Sequence, residues 1–296
     1  MKTRTAWVFP GQGCQEVRLK AALLELPHVK AKLEQSEQIL GWSVPDIWST
    51  YESKRARTLY TQPCLYVVLS IFADLVMQQG ERPVLLAGYS LGEYVALYTA
   101  GVYSFECGLR LVQRRAELMD KAPAGAMVLL VGAEYQRLVE CVRSTPGIAL
   151  ANDDPDKVII SGSKAAVEAV VAQVQAKHIF YLSVDKPFHS PLMAGSAEEF
   201  SQVLESVSFK PAQIPLLSGL KPSIMVEASA IKQCLLQQIA QPVQWRAVSL
   251  QLVKQGVERV VEISPGKFLS SLIKQTCPSL VVENFNNVTR VERVVL

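Results

Sequence analysis

Apolar and polar positions along this chain form blocks that change character after Pro123-Ala124-Gly125. Before that point, short apolar runs and long helical patterns take turns. Residues 5–9 read as a short buried strand ended by the tight polar loop Pro10-Gly11-Gln12-Gly13. Helical patterns follow at 17–26 and 29–40, then a long apolar helix at 65–77 with Pro63 near its start. Residues 84–87, bounded by Pro83 and Gly88, suit a buried strand of a parallel sheet. Helices are predicted at 91–100, stopping at Gly101, and at 105–120. Beyond residue 125 the blocks shorten. Residues 127–131, 148–152, 158–161 and 180–184 read as strands, and 135–143 and 164–177 as helices between them. This β-α-β-β-α-β order is the ferredoxin-like signature. The pattern therefore predicts an α/β protein: a large domain with a parallel core sheet, residues 1–125 and 192–296, and an inserted small ferredoxin-like α+β domain at 126–191. Residues 259–263 are a further core strand of the large domain.

Composition narrows the class. The chain has 296 residues, of which 49% are hydrophobic and 19% charged, enough apolar material for a sizeable core and too much for a disordered chain. Its net charge is +3, and the short basic cluster Lys54, Arg55 and Arg57 reads as a solvated helix face, so no nucleic-acid partner is expected. The six cysteines, Cys14, Cys64, Cys107, Cys141, Cys234 and Cys277, form no C-x-x-C pair, which argues against a metal site and fits free thiols in a reducing cytoplasm. The apolar residues before Pro10 are too few for a signal-peptide core of about 7–15 residues, and no apolar run reaches the roughly 18–20 residues of a membrane span. A cytoplasmic protein with no membrane partner is the expectation.

The chemistry centres on Gly88-Tyr89-Ser90-Leu91-Gly92, a G-x-S-x-G motif lying between a predicted strand and a predicted helix. A sharp strand-to-helix turn needs small residues at 88 and 92 and pushes the serine hydroxyl out of the sheet, beside the free N–H groups of a helix start. A serine hydroxyl needs a base. Of three histidines, His28 lies in an early helix and His178 near a predicted helix end. His189 lies where the inserted domain returns to the body, a natural cleft, and is the favoured base over a buried structural histidine. In α/β-hydrolases the acid lies between the serine and a late histidine; here about a third of the chain follows His189, and it must finish the core.

These residues, with Phe9-Pro10-Gly11-Gln12-Gly13, Thr61-Gln62-Pro63, GYSLGEY from Gly88 to Tyr94, Leu111-Val112-Gln113-Arg114-Arg115, Phe188-His189-Ser190, Pro242-Val243-Gln244-Trp245 and Ser264-Pro265-Gly266-Lys267, resemble the malonyl-CoA:acyl-carrier-protein transacylases. The matches run in order over nearly the whole chain. The resemblance implies a hydrolase-like large domain, Ser90 as the acylated nucleophile, His189 as its base and Gln238 as the position whose carbonyl orients the imidazole. It implies an oxyanion hole from the N–H groups of Gln12 and Leu91, and Arg115 as the receptor for the malonyl carboxylate. Gln62 and Asn152 would line or support the site, and Phe188 and Leu91 fit the malonyl-selecting pattern. The implied substrate is malonyl-CoA, with no permanently bound cofactor and no metal; the implied partner is an acyl carrier protein bearing phosphopantetheine, in fatty-acid or polyketide synthesis.

The chain departs from the family at Tyr89, where histidine is usual, at Ala116, where glycine is usual, and at Lys186-Pro187, where small residues are common. Tyr89 can donate a hydrogen bond but does not titrate near neutrality, so altered packing around the elbow is the expected effect. A thioester hydrolase that clears stalled acyl groups from carrier proteins is the alternative; Arg115 counts against it and Tyr89 and Lys186 leave it open.

Overall fold

The computed structural model describes residues 3–13, 21–50, 57–154, 156–264 and 266–285. Cys14, Lys54, Arg55, Pro265 and residues 17–20 of the helix predicted at 17–26 lie outside the described residues. The described strands are β1 (Thr5–Phe9), β2 (Leu85–Gly88), β3 (Ala126–Val131), β4 (Ile148–Leu150), β5 (Lys157–Gly162), β6 (His178–Tyr181), β7 (Leu216–Leu217), β8 (Ile224–Met225), β9 (Arg259–Glu262) and β10 (Val281–Asn284).

One sheet runs β10-β9-β1-β2-β7-β8. Its pairs from β10 to β7 are parallel, and the short β8 closes the edge antiparallel. The two-residue alternation of β1 and β2 divides the core. Trp7, Phe9 and Leu86 face the layer holding the Thr58–Gln78 and Phe105–Asp120 helices. Ala6, Val8, Leu85 and Ala87 face the Trp245–Lys254 and Phe268–Thr276 helices. Both faces are covered, which is why residues 6–9 and 85–87 of these strands run apolar without alternation. Among the described residues one helix, Thr58–Gln78, is long and apolar enough to cross a membrane, and it lies 83% buried inside the protein.

A second sheet runs β4-β5-β3-β6 with all three pairings antiparallel. Val128, Leu130, Val158 and Ile160 pack against Leu138 and Val142 of the Tyr135–Ser144 helix and Val167 and Val170 of the Lys164–Val171 helix.

Several element boundaries differ from the sequence expectation. The helix expected at 65–77 starts at Thr58 and runs through Pro63. Thr61 caps a backbone carbonyl by donating to Arg57 O at 2.9 Å, and Thr61 and Gln62 are buried against the body, so packing outweighs the proline break. The helix expected at 164–177 ends at Val171, and the strand expected at 180–184 is β6 at His178–Tyr181. His178, expected at a helix end, is therefore in a strand, paired with Val131. All four β6 residues are exposed on the sheet edge, so no burial pattern marks where the strand begins.

The site is fixed by close backbone approach. A Cβ at Gly92 would sit 2.0 Å from the Phe9 carbonyl oxygen, and one at Gly88 would sit 2.1 Å from the Glu93 nitrogen. Only glycine lets the helix start lie on the end of β1. Gly92→Ala is expected to lower unfolding stability by at least about 3 kcal/mol in chemical denaturation. Gly195→Ala is the control: nothing lies within 4 Å of its Cβ, and it is expected to change stability by about 1 kcal/mol or less. Equal losses in the two variants would refute the approach argument.

Candidate active site

Ser90 follows β2 and precedes the Gly92–Thr99 helix, with φ +53°. His189 has φ +59°, and no other described non-glycine residue has positive φ. Both side chains thus project from backbone in the left-handed region, a conformation that surrounding structure must hold against its intrinsic cost of roughly 1–3 kcal/mol. At Ser90 the restraints are Tyr89 N–H donating to Phe9 O at 2.9 Å, and Gly92 N–H donating to Tyr89 O at 2.9 Å. At His189 the backbone N–H donates to Ile239 O at 3.2 Å.

The two side chains meet: Ser90 Oγ lies 2.8 Å from His189 Nε2. His189 Nδ1 lies 3.1 Å from the Gln238 carbonyl oxygen and 3.0 Å from that of Gln241. A carbonyl only accepts, so Nδ1 carries the proton and Nε2 is the free lone pair facing the serine. No carboxylate is needed to set this tautomer. Burial, with the Arg115 charge adding to it, lowers His189 to about 4, so the imidazole is neutral at neutral pH and its Nε2 lone pair is unprotonated.

Arg115 is fully buried, with 0% exposure. Its Nη2 donates to Ser90 Oγ and to Gln238 Oε1, each at 3.1 Å, and its Nη1 donates to Gln62 Oε1 at 2.6 Å. The Tyr94 ring lies 5.3 Å from the guanidinium carbon. Among the described residues Arg115 makes no ion pair. Its partners are neutral acceptors, and burial pushes its pKa down.

These groups border a cleft of about 240 Å³. Gln12, Gln62, Leu91, Arg115, Phe188 and His189 line it, so most of the sequence-derived candidates converge. Among the described residues the backbone N–H groups of Gln12 and Leu91 have no protein acceptor. Gln62 is held from both ends, accepting from Arg115 and directing Nε2 at Met119 Sδ at 3.3 Å. Asn152 does not line the cleft. It donates to Lys157 O and accepts from Ile159 N–H, both at 2.8 Å, closing the loop between β4 and β5 behind Ala151, which does line it. Tyr89 packs edge-on against Trp245 and Phe268, each at 5.7 Å between ring centroids. Among the described residues no cluster of three or more histidine, cysteine or acidic side chains could hold a metal ion.

Two groups at the site were not among the sequence candidates. The Gln241 carbonyl shares the histidine proton, and a backbone oxygen carries no residue-type signal. Glu93, 2% exposed and raised to about 7 by burial, lies inside the GYSLGEY match but gives no sign in sequence of facing inward.

A Ser-His pair on a strand-to-helix elbow, with free N–H groups and a buried guanidinium beside it, defines an acyl-transferring serine enzyme. The chain belongs to the acyltransferase family: the family model described as "Acyl transferase domain" matches residues 6–294. Within that class it is 42% identical over 282 residues to the malonyl CoA-acyl carrier protein transacylase of Synechocystis sp., an alignment covering 95% of this chain and 96% of the relative. The crystal structure of the Synechocystis sp. malonyl-CoA:ACP transacylase superposes with a TM-score of 0.93 at 42% identity, covering 95% of this chain and 97% of that one. A malonyl-transacylase solved in complex with its type II PKS acyl-carrier protein superposes with a TM-score of 0.89 at 31% identity, covering 95% and 96%.

The lowered His189 pKa sets a pH signature. The rate constant for the part of p-nitrophenol release from p-nitrophenyl acetate, an ester without a carboxylate, that Ser90→Ala abolishes is expected to stay flat from pH 8 to about pH 5. It should fall only as the imidazole protonates near its value of about 4. A half-loss near pH 6.5, the ordinary histidine value, would contradict the burial argument.

Proposed function

We propose that the protein transfers a malonyl group from malonyl-CoA to the phosphopantetheine thiol of an acyl carrier protein, through an ester on Ser90, in fatty-acid or polyketide synthesis. The observation that carries this reading is the buried guanidinium of Arg115, 3.1 Å from Ser90 Oγ and without an ionic partner among the described residues. A buried cation is costly until an anion meets it, and a planar fork suits a carboxylate bidentately. A malonyl thioester brings a carboxylate next to the carbonyl that Ser90 would attack. The relatives to which the chain is similar are named for the same substrate and partner.

In the first half-reaction His189 Nε2 takes the Ser90 proton as Oγ attacks the thioester carbonyl. The N–H groups of Gln12 and Leu91 stabilise the tetrahedral oxyanion, each donor contributing about 2.7–4 kcal/mol to the transition state. The C–S bond breaks, and the departing thiolate of coenzyme A takes the proton from His189. In the second half the carrier thiol gives its proton to His189 and attacks the Ser90 ester. The C–O bond breaks, the proton returns to Ser90 and the malonyl group leaves on the carrier. The Nδ1–H bonds to the Gln238 and Gln241 carbonyls keep the imidazole in one tautomer through both halves. Phe188 and Met119, lining the cleft, would limit the acyl group's bulk. The hydrolase alternative has no use for Arg115.

The strand order β4-β5-β3-β6, with two helices packed on that sheet, supports reading 126–191 as an inserted ferredoxin-like unit within a body made of 1–125 and 192–296. The free cysteines among the described residues accord with a cytoplasmic setting.

Intact-protein mass spectrometry after malonyl-CoA addition is expected to detect a malonyl adduct that Ser90→Ala abolishes and that holo acyl carrier protein discharges onto itself. Free malonate in place of malonyl carrier would favour hydrolysis. Arg115→Ala should lower kcat/KM for malonyl transfer about a hundredfold or more, while acetyl transfer changes by less than about tenfold. An unchanged malonyl preference would rule out Arg115 as the receptor.

A further inference from the structure

Glu93 is a buried carboxyl that the transfer chemistry above does not use. Its Oε2 accepts from Gln238 Nε2 at 2.5 Å, and its Oε1 faces Cys234 Sγ at 3.8 Å. Gln238 is itself 3% exposed, and its amide is fully engaged. Nε2 also donates to Ser90 O at 2.9 Å, while Oε1 accepts from Arg115 Nη2 at 3.1 Å. The amide therefore stands between a carboxyl and a guanidinium.

We propose that Glu93 is the positioning residue of the carboxylate receptor: by accepting from Gln238 Nε2 it fixes that amide with its oxygen toward Arg115. This holds the guanidinium across Ser90 with displaceable neutral acceptors. The inference rests on the reading of Arg115 as the receptor. Its physical basis is the donor and acceptor count. An amide has one face that donates and one that accepts, and a flipped Gln238 would set Nε2 against Arg115 Nη2, donor against donor. Above about pH 7, where Glu93 is mainly ionised, its carboxylate has no proton to offer, so it accepts from the amide in one orientation only. Because the amide is interposed, the Glu93 charge attracts Arg115 without closing on it, and the terminal nitrogens stay free to exchange a neutral oxygen for the stronger charged one of the substrate. Both carboxyl oxygens of Glu93 already face donors, so a glutamine there must turn an NH2 group toward one of them, leaving a buried donor unsatisfied.

The test separates carboxylate recognition from serine reactivity. For wild type, Glu93→Gln, Gln238→Met and the double variant, kcat/KM for malonyl-CoA is compared with the Ser90 acylation rate by p-nitrophenyl acetate. Gln238→Met keeps the backbone carbonyl that His189 uses. Glu93→Gln is expected to lose about tenfold more in the malonyl reaction than in the ester reaction. Gln238→Met should lose the malonyl reaction by a similar excess, and the double variant no more than the larger single loss, the mark of residues acting through one path. Equal losses in the two reactions would overturn the proposal, because a merely structural glutamate damages both. Additive losses in the double variant, or no malonyl-specific loss in Gln238→Met, would overturn it as well. If wild type reacts with the ester but does not transfer malonyl, the receptor reading itself falls, and this inference with it.

Discussion

The arrangement of this site depends on one electrostatic constraint, the guanidinium of Arg115 held in the dry interior of the protein. A buried charge raises the free energy of everything around it that shares its sign. It helps keep His189 neutral, which is the form a general base needs. It requires acceptors, and two glutamine side chains, Gln62 and Gln238, supply oxygens from different helices. Neutral acceptors satisfy its hydrogen-bonding demand without cancelling its charge. What is left over is an attraction for an anion, located one hydrogen bond from the Ser90 hydroxyl.

Backbone geometry makes that proximity usable. Ser90 and His189 come from segments separated by 99 positions, and each sits in the left-handed region. The serine is held there because Gly88 and Gly92 let the following helix rest against the end of β1. The histidine is held because its ring nitrogen is tied to the carbonyls of Gln238, the last residue of the Ala228–Gln238 helix, and of Gln241 just beyond it, and its own N–H to that of Ile239. Strain at these two positions is therefore balanced by the packing of the large sheet and its helices, which links the apolar strands of the core directly to the chemistry.

Much of this was legible in the chain. The strands at 5–9 and 85–88 announce themselves because both faces are buried, so residues 6–9 and 85–87 are apolar without a break. The elbow is visible because its glycines have a steric cause. Arg115 and Gln62 could be named only through the resemblance, since an arginine in a helix such as Phe105–Asp120 reads locally as a surface cation. The start of β6 was not legible, because an exposed edge strand has no hydrophobic period to reveal it. The roles of the Gln241 carbonyl and the Glu93 carboxyl were hidden for a different reason: they arise where separate segments meet, and no local pattern encodes that meeting.

The most direct measurement is a crystal structure of the malonyl-enzyme trapped by slow turnover at low temperature. The account predicts an ester on Ser90 Oγ whose free carboxylate lies within hydrogen-bonding distance of both terminal nitrogens of Arg115, displacing the oxygens of Gln62 or Gln238. An ester whose carboxylate points to solvent, with Arg115 still bound to both glutamines, would contradict it.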